Sequence, residues 1–113
     1  MRLTTDLWVA AYRARLEAAG VFMHVVARGD ATAGDVLIKV SFMDGRASLW
    51  ARAPGGFPGA LPGEDAFVEE MAPGAEGEVD ATVARRRGRD RDLWVLEVED
   101  PRGRHLLPVA PGC

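Results

Sequence analysis

The stretch DVLIKVSFMDGRASLWAR, residues 35–52, decides the fold, because two runs of alternating apolar and polar residues meet in it at Asp44-Gly45. This dipeptide is a strong signal for a two-residue hairpin turn. A two-residue turn pairs Met43 with Arg46 and thereby sets which side chains share a face. The sequence therefore predicts a central antiparallel hairpin.

That pairing sorts the hairpin side chains into two faces, of which we expect only one to form the core. The core face holds Ile38, Val40, Phe42, Ala47, Leu49 and Ala51. The other face holds Leu37, Lys39, Ser41, Met43, Arg46, Ser48, Trp50 and Arg52. On this second face Lys39 lies opposite Trp50, so the register predicts a cation-π pair between them.

Two helices are predicted outside the hairpin. The first begins at Thr4 or Thr5, carries an apolar stripe and runs to about residue 19, where Gly20 ends it. The second covers residues 75–87, with acidic residues in its first turns and arginines in its last, an order that complements the helix dipole. Gly88 is its expected end.

The remaining segments predict strands and one long connection. We predict a strand at residues 22–28, a second hairpin at 93–109, a short strand or helical turn at 67–71, and a Pro- and Gly-rich surface connection at 53–63. The resulting order is α-β-β-β-(β)-α-β-β. It predicts an α+β fold in which an antiparallel sheet of five to six strands carries two helices.

The composition is that of an ordinary soluble domain rather than a disordered or membrane-inserted chain. The chain has 113 residues and a formal net charge of −3, which suits a single domain over residues 1–113. Its one cysteine, Cys113, favours a reducing compartment over a disulfide scaffold. No run is apolar enough for a signal peptide or a membrane span, so we expect a cytoplasmic protein with no membrane partner.

Three blocks of the sequence resemble a known bacterial family. They are LWVAAYRARLEAAG at residues 7–20, RGDATAGDVLIKV at 28–40 and DLWVLEVEDPRGRH at 92–105. In this order and spacing they resemble the family called domain of unknown function 1491, across nearly the whole chain. The resemblance implies a compact bacterial domain of similar length, and it brings no catalytic residues because the family has no assigned activity.

Two surfaces are candidates for binding. One is the hairpin face that bears Lys39, Trp50 and Arg52, where an aromatic ring beside basic groups could stack a base and hold a phosphate. The alternative is that a helix covers this face. The other surface is the arginine run at residues 85–91, represented by Arg86 and Arg87, which could contact phosphates; its alternative is an ion-paired helix end.

Enzymatic and metal sites are incomplete in the sequence. The element order is similar to that of the restriction-nuclease-like core, but Leu37 stands where that chemistry needs a carboxylate, two residues before Lys39. Asp35 is too far from Lys39 along the strand to share a metal shell with it. Glu97 and Glu99 share a strand face and would need a third ligand such as His105. We therefore expect no catalytic residue, metal or cofactor.

A non-catalytic binding or protein-interaction module is the preferred function, because a scaffold is visible whereas a catalytic set is not. A protein partner or a second copy could bind through an edge strand or the loop containing Phe57. Single-stranded nucleic-acid binding through the Lys39/Trp50 face or the arginine run is an alternative. A divergent metal-dependent nuclease-like enzyme is another.

Overall fold

The computed structural model describes residues 3–53 and 66–110. Within these ranges the chain forms two helices and five strands. In chain order they are α1 (Thr5–Ala18), β1 (Phe22–Ala27), β2 (Val36–Ser41), β3 (Arg46–Arg52), β4 (Phe67–Ala75), α2 (Glu76–Arg89) and β5 (Trp94–Glu99). The predicted connection at 53–63 lies almost entirely outside the described residues, as do Phe57 and Cys113.

The five strands form one mixed sheet in the order β1-β5-β2-β3-β4. The α+β class with two helices is confirmed, but the prediction of a purely antiparallel sheet is wrong, because β5 runs parallel to β2. The reason is the connection through α2. A helical crossover returns the chain in the same direction, whereas a tight hairpin reverses it. β5 enters the sheet between β1 and β2.

The predicted second hairpin at 93–109 is also wrong in its second arm. Both edges of β5 are already paired, one with β1 and the other with β2, so no edge is left for a returning strand. The chain turns at Asp100 and reaches the far edge strand instead. There Phe67 N donates to Pro108 O at 2.7 Å and Ala110 N donates to Phe67 O at 2.9 Å.

Segment 67–75 is a nine-residue strand, β4, rather than a short strand or a helical turn. It leads directly into α2, whose first N–H, from Glu76, donates to Gly45 O at 3.0 Å. The predicted second helix is confirmed, although it continues through Gly88 to Arg89. No helix within the described ranges is long and apolar enough to cross a membrane.

The central hairpin exists, but its turn is one residue longer than predicted. Phe42 N donates to Arg46 O at 3.0 Å, which leaves Met43, Asp44 and Gly45 as the loop. Met43 and Gly45 both have positive φ, at 61° and 89°. The Asp44 carboxylate accepts hydrogen bonds from the Arg46 N–H at 3.1 Å and from its guanidinium, and these bonds stabilise the longer loop.

The extra loop residue shifts the register by one. Ile38 pairs with Trp50, and Lys39 pairs with Leu49. Since side chains alternate between the two faces, Lys39 and Trp50 lie on opposite sides of the sheet. The predicted cation-π pair between Lys39 and Trp50 is therefore wrong. The predicted binding surface that contains both residues is wrong for the same reason.

Helices cover both faces of the sheet, so the expectation of one core face is wrong as well. The α1 side buries Val9, Tyr12, Leu16, Val21, Met23, Val36, Ile38, Val40, Trp50, Phe67, Trp94, Leu96, Val98 and Leu107. The α2 side buries Leu37, Ala47, Leu49, Ala51, Val79 and Leu93. The alternative that a helix covers the strand face bearing Lys39 is confirmed.

Gly29 marks a close approach between the loop that follows β1 and the start of β5. A Cβ at this position would run into the carbonyl of Asp92 and the ring of Trp94. The same loop is tied to β5 by Asp30 N, which donates to Asp92 O at 3.0 Å, and by the Trp94 indole N–H, which donates to Asp30 O at 2.7 Å.

We predict that Gly29→Ala lowers the free energy of unfolding by about 1–3 kcal/mol, the usual cost of forcing extra volume into a packed site. The matched control is Gly88→Ala, where a new Cβ meets no atom within 4 Å. Because alanine is the better helix former, this control should be neutral or stabilising by up to about 1 kcal/mol. Urea unfolding of both variants tests the pair, and equal midpoints would contradict the close packing at Gly29.

Candidate functional site

A buried lysine lies at the centre of the most highly charged part of the α2 side. Lys39 on β2 is 7% exposed. Its Nζ lies 2.7 Å from Asp80 Oδ1, 2.9 Å from Glu76 Oε2 and 3.5 Å from Glu97 Oε1. Carboxylates from two elements thus converge on one ammonium group. Asp80 and Glu76 are one turn apart on α2, and Glu97 is the neighbour of Lys39 across the parallel β2–β5 pair.

The carboxylates keep Lys39 charged. Burial alone would lower the pKa of this ammonium, but the hydrogen bonds to Asp80 and Glu76 and the charge of Glu97 outweigh it and raise the pKa above its ordinary value. A lysine serves as a nucleophile or general base only when its pKa is lowered. In this arrangement the Lys39 ammonium is the counter-ion of the three carboxylates.

The charged region continues onto β1, the strand next to β5. His24 lies directly opposite Glu97, and Phe22 lies opposite Glu99. His24 Nδ1 is 3.4 Å from Glu99 Oε1. We call Glu76, Asp80, Glu97 and Glu99, together with Lys39 and His24, the acidic cluster. Three of its four carboxylates contact the Lys39 ammonium, and the fourth, Glu99, lies beside His24. The carboxylates outnumber the ammonium group, so the cluster carries excess negative charge.

Among the described residues, part of this side of the sheet is open to solvent. α2 packs on β2, β3 and β4, whereas the side chains of β1 remain accessible: Phe22 is 59% exposed and the His24 side chain 41%. The Phe22 ring contacts the His24 ring at a centroid distance of 5.7 Å. We call Phe22, His24, Glu97 and Glu99 the open half-face.

His105 does not join Glu97 and Glu99. It lies on the other side of the sheet, where its ring contacts Trp50 at a centroid distance of 4.4 Å and its Nδ1 accepts a hydrogen bond from Leu107 N. Burial lowers the pKa of His105. The shared face of the two glutamates is confirmed, but the nearby histidine is His24, brought there by a pairing between strands far apart in sequence.

The five residues predicted to form a binding surface lie in three separate places. Lys39 is in the acidic cluster. Trp50, 9% exposed, donates its indole N–H to Ser48 Oγ on the α1 side, and Arg52 follows on the same strand face. Arg86 and Arg87 are on α2.

Arg86 and Arg87 already have partners within the protein. Arg86 Nη1 bonds Glu70 Oε2 at 2.6 Å, and Arg87 Nη2 donates to Arg28 O at 2.9 Å. The second bond brings Arg28 to the arginine run. The Arg28 guanidinium in turn lies over the Trp94 ring, with its Cζ 4.8 Å from the ring centroid.

Asp35 stands apart from the carboxylates that surround Lys39. Its Oδ1 accepts a hydrogen bond from Val36 N at 2.9 Å, and its main-chain carbonyl accepts one from Trp94 N at 2.8 Å. The carboxylates that meet Lys39 come from α2 and β5. The spacing between Asp35 and Lys39 along β2 is therefore not the feature that organises this site.

Comparisons with known proteins identify one family. The family model described as "Protein of unknown function (DUF1491)" matches residues 3–108. The crystal structure of a DUF1491 family protein from Caulobacter crescentus is 38% identical with a TM-score of 0.78, covering 96% of this chain and 98% of that one. The solution structure of a protein from A. tumefaciens is 33% identical with a TM-score of 0.80, covering 96% and 95%. A comparison with curated proteins found no significant match.

We predict that Lys39→Met lowers the free energy of unfolding at pH 7 by about 2–3 kcal/mol, because it leaves carboxylates together without their counter-ion. The loss should be smaller than the 3–5 kcal/mol typical of fully buried pairs, since the Asp80 side chain is 56% exposed. Glu78→Gln, an exposed change on the same helix, is the control and should be nearly neutral.

The pH dependence of the same variant tests the charge state of Lys39. The contribution of a group whose pKa is raised on folding is fully present below its unfolded pKa, about 10.4 for lysine, and is lost as the pH rises toward the folded value. The difference between wild type and Lys39→Met should therefore shrink above about pH 10.4. Burial also raises the pKa of Tyr12, but this contribution is common to both proteins. A difference independent of pH would contradict the assignment.

Proposed function

The chain belongs to the DUF1491 family, whose function is unknown, and we propose that it is a non-catalytic module that binds a basic, partly apolar segment of a partner protein. The open half-face is the proposed docking surface. The single observation that carries the proposal is an exposed aromatic ring, Phe22, held on a sheet directly beside an excess of carboxylates.

The apolar part of the docking surface is Phe22. Because the Phe22 residue is 59% exposed, full coverage by a partner gains roughly 1–2 kcal/mol, about three-fifths of the value for a fully exposed side chain. Because Phe22 lies on a paired strand, opposite Glu99, it loses little backbone freedom on binding. Such rigid aromatic anchors are typical of binding hot spots.

The charged part of the surface selects the partner. Glu97 and Glu99 lie next to Phe22 and His24, and Glu76 and Asp80 extend the negative charge along α2. Charge complementarity across an interface speeds association and rejects partners of like charge. A segment that carries lysine or arginine beside apolar residues satisfies both parts of the surface.

Docking onto the face is favoured over addition of a strand to the β1 edge. β1 contains a bulge between Val25 and Ala27, and the Arg13 guanidinium lies 3.4 Å from Met23 O. Bulges and charged side chains at an edge are two means by which sheets resist pairing with another strand. The partner segment therefore contacts side chains of the open half-face rather than the β1 backbone.

The non-catalytic part of the proposal is supported by Lys39. Its raised pKa and its three carboxylate partners remove the one buried amine near the open half-face from base or nucleophile chemistry. For the nuclease-like alternative, the lysine would need to be available to orient water or stabilise charge.

An NMR titration tests the docking surface with a synthetic extended peptide of alternating lysine and leucine residues. We expect saturable shifts at the amides of Phe22, His24, Glu97 and Glu99. Phe22→Ala should raise the Kd about tenfold or more, because the apolar burial is removed. Joint replacement of Glu97 and Glu99 by Gln should weaken binding and reduce its dependence on salt.

Two variants on the other side of the molecule serve as controls. Leu7→Ala removes a side chain that is 56% exposed, close to the exposure of Phe22, and Glu69→Gln removes an exposed carboxylate on the opposite edge strand. Both should bind the peptide like wild type. Shifts spread over the whole surface, or no saturable binding, would overturn the proposal.

A polyanion site at the arginine run is the second candidate, favoured by the hydrogen bond between Arg87 and Arg28 O that gathers basic residues at the C-terminal end of α2. It predicts salt-sensitive binding of single-stranded DNA, measured by fluorescence anisotropy. Joint Arg86→Gln and Arg87→Gln should lower the slope of log K against log salt by about 0.7 for each phosphate that the variant no longer neutralises. Unchanged binding by this double variant would remove the candidate.

A further inference from the structure

We infer that His24, Glu97 and Glu99 form a binding site for a first-row divalent metal ion, for which Zn²⁺ is the probe. Each of these residues offers one ligand atom, and the three atoms all lie within 4.8 Å of one another. The inference goes beyond the proposed docking function, because it concerns an ion rather than a protein segment and rests on His24 rather than on Phe22.

The distances are close to those that a metal requires. Ligand atoms about 2.1 Å from a tetrahedral Zn²⁺ are roughly 3.4 Å apart. His24 Nδ1 and Glu99 Oε1 are already 3.4 Å apart. The third ligand atom, on the Glu97 carboxylate, is within 4.8 Å of the other two, so a change of side-chain torsion that moves it by about 1 Å would bring it near the same spacing.

The sheet holds the ligands in place. His24 and Glu97 are direct partners across the antiparallel β1–β5 pair, and Glu97 and Glu99 are two residues apart on one strand, so all three side chains leave the same face. Ligands on paired strands are positioned more accurately than ligands on loops. The site needs no loop to close over it.

The ligand types select the class of metal. An imidazole nitrogen with two carboxylates suits Zn²⁺, Mn²⁺ or Fe²⁺, whereas Ca²⁺ and Mg²⁺ prefer oxygen ligands alone. Three protein ligands leave a coordination position for water or for a group of a partner, as in open zinc sites.

The neighbouring charges favour a cation. Lys39 makes its two shorter contacts with Asp80 and Glu76, and its contact with Glu97 is the longest at 3.5 Å. The Glu97 carboxylate therefore keeps acceptor positions for a metal. The side chains of Glu97 and Glu99 are 19% and 28% exposed, so an ion can enter from solvent while water screens the site only in part.

Isothermal titration of Zn²⁺ into the full chain tests the site. The titration uses a Cys113→Ser background, because the cysteine thiolate is itself a zinc ligand. We expect one ion per chain at micromolar concentration. His24→Gln and Glu99→Gln should each weaken binding about tenfold or more, whereas Glu69→Gln should bind like the background protein.

NMR of the histidine side chains locates the ion. The chain has two histidines, and Zn²⁺ should shift the ring nitrogens of His24 and leave those of His105 unchanged. Shifts at His105 alone, equal affinity in the His24→Gln variant, or no binding at micromolar Zn²⁺ would overturn the inference.

The docking proposal and the metal-site inference can be tested independently of each other. Phe22→Ala should abolish most peptide binding and leave Zn²⁺ affinity unchanged, while His24→Gln should abolish most Zn²⁺ binding and leave a peptide site formed by Phe22 and the glutamates. A loss of both activities in each variant would show that neither surface is assigned correctly.

Discussion

The position of β5 between β1 and β2 is the constraint on which the other features depend. It is the one strand that pairs with both the N-terminal strand and the central hairpin, so Glu97 acquires two neighbours, His24 on one side and Lys39 on the other. The acidic cluster is a consequence of this insertion. The insertion of β5 is also the reason why the chain beyond Asp100 cannot return as a hairpin and crosses to β4 instead.

The charge distribution follows from the same arrangement. A helix N-terminus favours acidic residues in its first turn, and Glu76 and Asp80 lie near that end of α2. Alone they would add to the repulsion from Glu97. Lys39 replaces this repulsion with attraction, because its ammonium lies between α2 and β5 and contacts carboxylates of both. The ion pairs therefore act together with the buried Val79 to hold α2 against the sheet.

Local patterns predicted the elements better than the pairings between them. Apolar periodicity, the order of charges, strand alternation and turn residues identified α1, β1, β2, β3 and α2 close to their observed bounds, although Thr4 at the start of α1 makes no side-chain capping hydrogen bond. The predicted register of the hairpin was wrong because Asp44-Gly45 belongs to a three-residue loop in which Met43 has positive φ. This longer loop places Ile38 beside Trp50 on the buried α1 side, and their burial favours it over the two-residue turn. Likewise, the alternation of side chains along a strand predicted the shared face of Glu97 and Glu99. It did not predict that His24 lies beside them, because the pairing of His24 with Glu97 joins strands that are far apart in the sequence.

The width of the sheet explains why an open half-face exists. Strands lie about 4.8 Å apart, whereas a helix with its side chains is about 10 Å across. One helix therefore covers roughly two to three of five strands, and α2 covers the β2–β4 part. Within the described residues α1 lies on the opposite face, so the β1 and β5 side chains meet solvent here. A fold that needed only solubility could place small polar residues at these positions. This chain places Phe22 and His24 beside two glutamates, and that choice of side chains, rather than the fold, is what points to a ligand.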